Sequence, residues 1–374
     1  MSSASSITSA SPRLLRAYLA AFERLALQPR DEWHGFFVPR SESMNFGLRF
    51  QLAFPCYAAA AIARAVPEER DRCLQIMAGL VERMLDQRAW AYWAHATGSH
   101  DPVGRANIQY SGHLGHMLGL YELLGGDDRF KRPLRFEYRG RAVEYTHQQL
   151  VTALYEQMRR NHYHGVECEP GNTYVACTDH ALWATVLHDR LHGTAYAKVN
   201  SEWLAFLERR LAFRGPRVIG RGAVTAIYFT RLQWAAPLGL NFMDAWSLAF
   251  MAPLAPELTR RLARRLWPGL RGAGNTLCLP SAPLWTRMEG SDTAVNTGFA
   301  YVLAVELGEH ERARRLRAYA EQHLQPIEHG GARMYLGGLA APYTTALFAL
   351  GDAGGLTGPL PLAPSPRPLP ALSP

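Results

Sequence analysis

Lysine is almost missing from this 374-residue chain: Lys131 and Lys198 are the only two among 40 basic residues, so a formal charge of +8 rests on arginine. A phosphate-binding surface would cluster its cations. The arginine runs 259-TRRLARRL-266 and 311-ERARRLR-317 instead have the spacing of solvated helix faces, which argues against a nucleic-acid partner. Long apolar runs are also missing. Arg16 and Glu23 interrupt the N-terminal segment before it reaches signal-peptide length, and nothing later approaches a membrane span. The expectation is a cytoplasmic protein without a membrane span. Cysteine is scarce, and in a reducing compartment Cys56, Cys73, Cys168, Cys177 and Cys278 are free thiols rather than fixed disulfides. Alternating β-type patterns are few: 134-LRFEYRGRAVEYT-146 reads as a hairpin turning at Arg139-Gly140, and 217-RVIGRGAVTAIYF-229 contains short strands at most.

Helical periodicity is what the chain has in quantity. Ser11 before Pro12 is a helix start, continued by Leu14, Leu15, Tyr18, Leu19, Phe22 and Leu25. Similar patterns recur near 47 to 65, 68 to 86, 105 to 124, 145 to 160, 173 to 191, 196 to 213, 244 to 251, 256 to 266, 292 to 307, 309 to 323 and 340 to 350. About twelve helices and 48% apolar residues to bury predict an all-α fold, read as one α/α toroid with helices paired around a central funnel; an α-solenoid fits the spacing almost as well, but no fixed-period repeat is visible. Its expected extent is 12–350, after a flexible N-terminus (1–11) and before a Pro-rich tail (351–374). Loops rich in Gly, Pro and aromatics, such as 97–110 and 271–285, are where a helical barrel would carry chemistry.

The stretch 165-GVECEPGNTYVACTDHAL-182 places Cys168 and Cys177 nine residues apart around Glu-Pro-Gly-Asn, with Glu167, Glu169, Asp179 and His180 beside them. Zinc would want short ligand spacings, and the local set His162, His164, Cys168, Cys177 and His180 has no C-x2-C or H-x3-H rhythm. A redox pair would be C-x-x-C. Packing is the ordinary fate of a lone cysteine, yet each of these sits among polar, loop-forming residues. A thiol near a histidine or carboxylate can instead give and take a proton, and two such groups flanking one substrate meet the needs of a dehydratase.

A second cluster, Asn107, Gln109, Tyr110, Ser111, His113 and His116, falls at the start of a helix ending at Gly125-Gly126. His113 would point back toward the loop end, whereas His116 reads as a helix-surface residue without a task. Aromatics in or beside loops, 89-AWAYW-93, 242-FMDAW-246, Trp285 and Tyr335, would suit an apolar funnel for a hydrocarbon substrate.

Four segments, NIQYSGHLGHMLGLYELLGGDDRF, MLDQRAWAYW, GVECEPGNTYVAC and MDAWSLAF, together resemble the linalool dehydratase/isomerase family over roughly Asp31 to Trp246 and more weakly beyond. The resemblance implies an (α/α)6 barrel, a homo-oligomer with sites near subunit interfaces, and interconversion of allylic terpenoid alcohols with a diene without metal or organic cofactor. It implies that Cys168 and Cys177 flank the hydroxyl-bearing and proton-losing carbons, that His113 assists at the hydroxyl, and that Asp31 and Tyr57 match the family's acidic residue and tyrosine. Gln109, Glu169, Phe242, Trp246 and Phe37 are then substrate-binding candidates. Phe37 and Phe242 stand where tyrosines are expected, which removes two phenol donors, enlarges the apolar wall and points to an alcohol other than linalool. An α/α-toroid carbohydrate enzyme using carboxylates from Asp31, Glu169, Asp244 and Glu289, or a non-catalytic binder of hydrophobic ligands, are the alternatives.

Overall fold

The computed structural model describes residues 10–38, 47–213, 219, 220, 222–281, 292–338 and 340–356. Its helices are α1 (Pro12–Leu27), α2 (Leu48–Ala65), α3 (Arg70–Met84), α4 (Gln87–Trp90), α5 (Tyr92–Thr97), α6 (Ile108–Leu123) and α7 (His147–Arg160), then α8 (Val175–His192), α9 (Lys198–Phe206), α10 (Asn241–Met251), α11 (Pro256–Leu266), α12 (Thr293–Glu306), α13 (His310–His323) and α14 (Ala341–Asp352).

Two kinds of helix alternate along the chain. In α2 every residue from Leu48 to Ala63 is buried, and α6 and α12 are buried nearly end to end. Such helices have no polar face to offer water, so they must lie inside. By contrast α11 buries only Thr259, Leu262, Ala263 and Leu266, and α13 only Ala313, Leu316 and Ala320. The arginine runs therefore cover solvent-facing surfaces, as their spacing suggested.

The inner helices close a ring: α2 packs on α6, α6 on α8, α8 on α10, α10 on α12, α12 on α14, and α14 back on α2. With α1, α3, α7, α9, α11 and α13 outside, this is an (α/α)6 barrel, and ring closure rules out the open solenoid. Close approach needs small residues at the seams: a Cβ at Gly119 of α6 would lie 2.8 Å from Leu187 Cβ of α8. The ring is also fastened where it ends. Ala10 N–H donates to Asp352 O (3.1 Å), while the Asp352 carboxylate accepts from Tyr18 (3.0 Å), Tyr301 (2.7 Å) and Arg317 (2.8 Å).

Ser11 caps α1, accepting from Leu14 N–H at 3.3 Å. The hairpin forms as expected, β1 (Leu134–Tyr138) on β2 (Arg141–Tyr145), with Arg139 and Gly140 at φ of 50° and 75° in the turn. Strand pieces β3 (Asn172–Thr173), β4 (Ile219–Gly220) and β5 (Tyr228–Phe229) edge the loops. The segment 89-AWAYW-93, placed in or beside a loop by the sequence, ends α4 and begins α5 with Trp90 and Trp93 buried, and Asp86 caps the new helix start by accepting from Arg88 N–H. The structured chain extends past 350: α14 runs to Asp352 and the described residues continue to Leu356. The flexible N-terminus expected over 1–11 falls mostly on residues 1–9, and these, the Pro-rich stretch 357–374, Trp285 and Glu289 lie outside the described residues. Among the described residues, no helix is long and apolar enough to cross a membrane.

Candidate active site

The nine-residue gap between the thiols is closed by a turn. Pro170 and Gly171 occupy its centre, Gly171 at φ 84°, and Asn172 N–H returns to Glu169 O at 2.9 Å, the type II arrangement that Pro-Gly favours. Cys168 N–H then donates to Asn172 O (2.9 Å), so the chain doubles back and enters α8. Cys177 is the third residue of that helix, and its thiol lies within electrostatic reach of the Cys168 thiol. Glu167 braces the turn, accepting from Gly171 N–H (3.0 Å) and from the Thr230 hydroxyl. Ile108 N–H to Glu167 O (3.1 Å) and Gln109 Nε2 to Cys168 O (3.4 Å) fasten it to the start of α6.

Both thiols are buried. Burial, then the neighbouring Cys177 thiol, pushes Cys168 well above the ordinary thiol range, and the Tyr174 amide pulls the other way without matching them. At neutral pH Cys168 is thus a protonated thiol, a proton donor rather than a free thiolate. The Tyr92 and Tyr174 hydroxyls each lie within electrostatic reach of both sulfurs, and that of Tyr343 within reach of Cys177. Tyr92 donates to Asn107 Oδ1 (2.6 Å) and Tyr174 to Glu169 Oε2 (3.3 Å), whereas the buried Tyr343 hydroxyl has no partner among the described residues. Burial holds all three as neutral phenols.

A buried cation completes this end of the ring. Arg49, 3% exposed, donates to Gln109 Oε1 at 2.6 Å and lies 4.5 Å above the rings of both Phe50 and Tyr92. Sequence reasoning passed over Arg49 and Tyr343. The signal available was a single cation inside the apolar run LRFQLAF and a lone phenol at the start of 341-APYTTALFAL-350.

Deeper in the barrel, His113 Nδ1 meets the Tyr57 hydroxyl at 2.7 Å, so those two predicted residues are brought together. Among the described residues the buried His113 Nε2 atom has no partner, so no hydrogen bond joins it to either thiol. His116 is not the surface residue expected from its position. It is fully buried, stacked on Trp183 (5.2 Å) and Tyr57 (4.2 Å), because α6 is an inner helix with no exposed face. Trp246 Nε1 donates to His180 Nε2 (2.9 Å), which puts the His180 proton on Nδ1, facing His116 Nδ1 at 3.2 Å. Burial pushes His113, His116 and His180 well below the usual imidazole range, so this inner cluster is neutral. Asp179, two residues after Cys177, is buried with neither carboxylate oxygen partnered among the described residues, and burial drives it well up toward the protonated acid.

The walls are aromatic. Phe50 meets Trp246 edge to face (5.1 Å), Trp246 stacks on Phe299 (5.2 Å), and Phe242 packs against both Trp246 (5.6 Å) and Phe299 (6.0 Å). Two predicted site residues lie elsewhere. Asp31 is exposed on the loop after α1, and the Phe37 ring is 47% exposed, so neither belongs to the buried thiol cluster of its own chain. The reason is local: Arg83 binds the carbonyls of Ala26, Gln28, Pro29 and Glu32 and holds that loop outside the ring. Phe37 is nonetheless tied to the mouth, its N–H donating to Gln51 Oε1 (2.8 Å) and its carbonyl accepting from Gln51 Nε2 (2.9 Å). Of the carboxylates weighed for sugar chemistry, Glu289 lies outside the described residues. Asp31 is outside the ring, and Asp244 accepts from the backbone N–H groups of Ala223 and Val224.

A closed ring of buried helices with its polar side chains gathered near their N-terminal ends is the α/α-toroid class. Within that class, the family model for linalool dehydratase/isomerase matches residues 49–338, and the chain belongs to this family. Two solved structures share the fold at 10% identity. An inactive variant of the α-1,6-mannanase GH76A of Salegentibacter sp. HEL1_6 in complex with α-1,6-mannotriose has a TM-score of 0.50, covering 94% of this chain and 100% of its own. A family 76 glycoside hydrolase from a bovine Bacteroides thetaiotaomicron strain has 0.56, covering 93% and 78%. Likeness at that identity speaks for architecture alone.

Proposed function

We propose that this chain is a cofactor-independent dehydratase/isomerase acting on an allylic, terpenoid-type alcohol through thiol acid–base catalysis. The observation that carries the reading is the pair of buried, interacting thiols Cys168 and Cys177, among neutral phenols beside an aromatic wall. Cys168 gives its proton to the hydroxyl as the carbon–oxygen bond breaks, releasing water and leaving an allylic cation. The ring faces of Phe50, Trp246 and Tyr343 stabilise that charge. Cys177 passes its own proton across the sulfur–sulfur contact to Cys168 and, as thiolate, takes a proton from the adjacent carbon to give the diene. Both thiols end protonated, so the cycle closes without a metal or redox partner. Return of water at the other allylic terminus gives the isomeric alcohol.

The Tyr343 hydroxyl, buried and unpartnered among the described residues, supplies a donor of the kind that Phe37 and Phe242 lack. In our reading the exposed Asp31 to Phe37 loop completes the site of a neighbouring copy in a homo-oligomer. The test is gas chromatography with mass detection on purified, reduced protein given allylic C5 to C15 alcohols, linalool, geraniol and nerolidol included. A diene or rearranged alcohol that falls by about 10²- to 10⁴-fold in both Cys168→Ala and Cys177→Ala is expected, the range for loss of a positioned acid or base. Full activity in both variants would remove the thiol mechanism.

A further inference from the structure

The far ends of α6 and α8, away from the thiols, meet the start of α7 in a cluster that the proposed chemistry does not use. Glu122 lies one residue before the end of α6, His147 opens α7, and His192 closes α8. One ligand atom from each can be chosen so that all lie within 4.8 Å of one another. His147 Nδ1 stands 3.1 Å from Glu122 Oε2, and His192 Nε2 stands 3.3 Å from Glu122 Oε1. Ligands about 2.0–2.1 Å from a tetrahedral zinc ion are separated by about 3.3 Å, so both spacings fit.

The partners of the imidazoles bear on the same question. Without an ion, His147 Nδ1 and His192 Nε2 are held against the Glu122 carboxylate, and an ion bound there would take the place of the protons between them. His188 stands one helical turn before His192, with ring centroids 4.5 Å apart. The Thr194 hydroxyl proton is committed to Asp189 Oδ1 (2.5 Å), so His188 Nδ1 must donate to Thr194 Oγ1 (2.9 Å). Its Nε2, buried and without a partner among the described residues, is left as a lone pair in the tautomer a metal ligand needs. A dication answers both the charge of the carboxylate and that lone pair. Each nitrogen lies on a different helix or a different turn, so an ion there would tie α6, α7 and α8 together. The spacing 188-HDRLH-192 is the sequence signal for this cluster, since i and i+4 share a helix face.

We propose that Glu122, His147 and His192 bind a divalent transition-metal ion of the zinc class, with His188 the nearest further nitrogen donor on the same helix face. His192 is fifteen residues after Cys177 on α8, about 22 Å along the helix at 1.5 Å per residue. The ion would therefore hold helices rather than touch substrate. This inference does not depend on the catalytic reading.

The experiment titrates chelator-treated, reduced full-length protein with cobalt(II), followed optically, and with zinc(II), followed by calorimetry and thermal unfolding. Expected are one ion per chain, visible cobalt bands without thiolate charge transfer, a raised Tm, and the same result in a Cys168→Ser/Cys177→Ser variant. His192→Ala, at a partly exposed side chain, and Glu122→Gln should each weaken binding by at least about 100-fold, the upper end of what loss of an outer partner does. No binding to the wild type, thiolate bands, or binding unchanged in both single variants would overturn the assignment.

Discussion

Asp179 sets the clearest test at the scale of single residues, because nothing among the described residues hydrogen-bonds either oxygen of its buried carboxyl. Burial keeps the proton on it, and the group costs the fold about 1–3 kcal/mol as an unsatisfied polar atom. Asp179→Asn cannot ionise, so it should raise stability at pH 8, where the wild type is pressed to lose its proton, and change little at pH 4. Urea unfolding at the two pH values measures this; equal effects at both would show that the carboxyl is already ionised. Asp179 was visible in the sequence only as a polar neighbour of Cys177. Its burial could not be read there, because an inner helix carries no periodic stripe to tell one side from another. His116 was misread for the same reason. Cys168, Cys177, Gln109, His113 and Tyr57 stood out in the sequence because loop chemistry and the family's motifs mark them. Arg49 was not, since one arginine in an apolar run looks like a helix end.

Among the elements, the Glu-Pro-Gly-Asn turn matters most, for it alone brings Cys168 to Cys177. Gly171 has room for a side chain, its nearest neighbour being Arg231 Nε at 3.8 Å, but not the φ for one. Gly171→Ala should therefore cost about 1–2 kcal/mol through the left-handed backbone alone. It should lower turnover further than that loss of stability explains, by moving Cys168. Gly171→Asn, which tolerates this conformation, should recover most of both. Denaturant melts paired with product assays on the two variants separate strain from chemistry. Turn residues and helix caps were the most readable features of the sequence: Ser11, Arg139-Gly140 and Pro170-Gly171 each act through local backbone preference. The short helices α4 and α5 were hidden because four to six residues give no period to detect.

Over the whole molecule, pH acts through the neutral interior. Unfolded histidines take up protons below about pH 6.5, while the folded His113, His116 and His180 do not, so each contributes stability that is lost as pH falls through that value. Asp179 works with the opposite sign, its folded form keeping a proton that the unfolded chain releases above about pH 3.9. Three protons against one leaves a loss of up to about 3 kcal/mol per pH unit between pH 6 and 5 from these four groups. Chemical denaturation across that window should show it, and Asp179→Asn should make the slope steeper. A flat profile would mean that the histidines take up protons without unfolding.

The closed ring has a last consequence, in the order of synthesis. The first inner helix, α2, takes α14 as its neighbour, and α14 ends at Asp352. While the ribosome is still making the chain, one flank of α2 has no permanent cover. Every contact across that seam joins residues nearly 300 positions apart, the kind of pairing that forms late and slowly. Because Ala10 and Asp352 end up hydrogen-bonded to each other, the same seam is where a circularly permuted chain could be joined with little change to the ring.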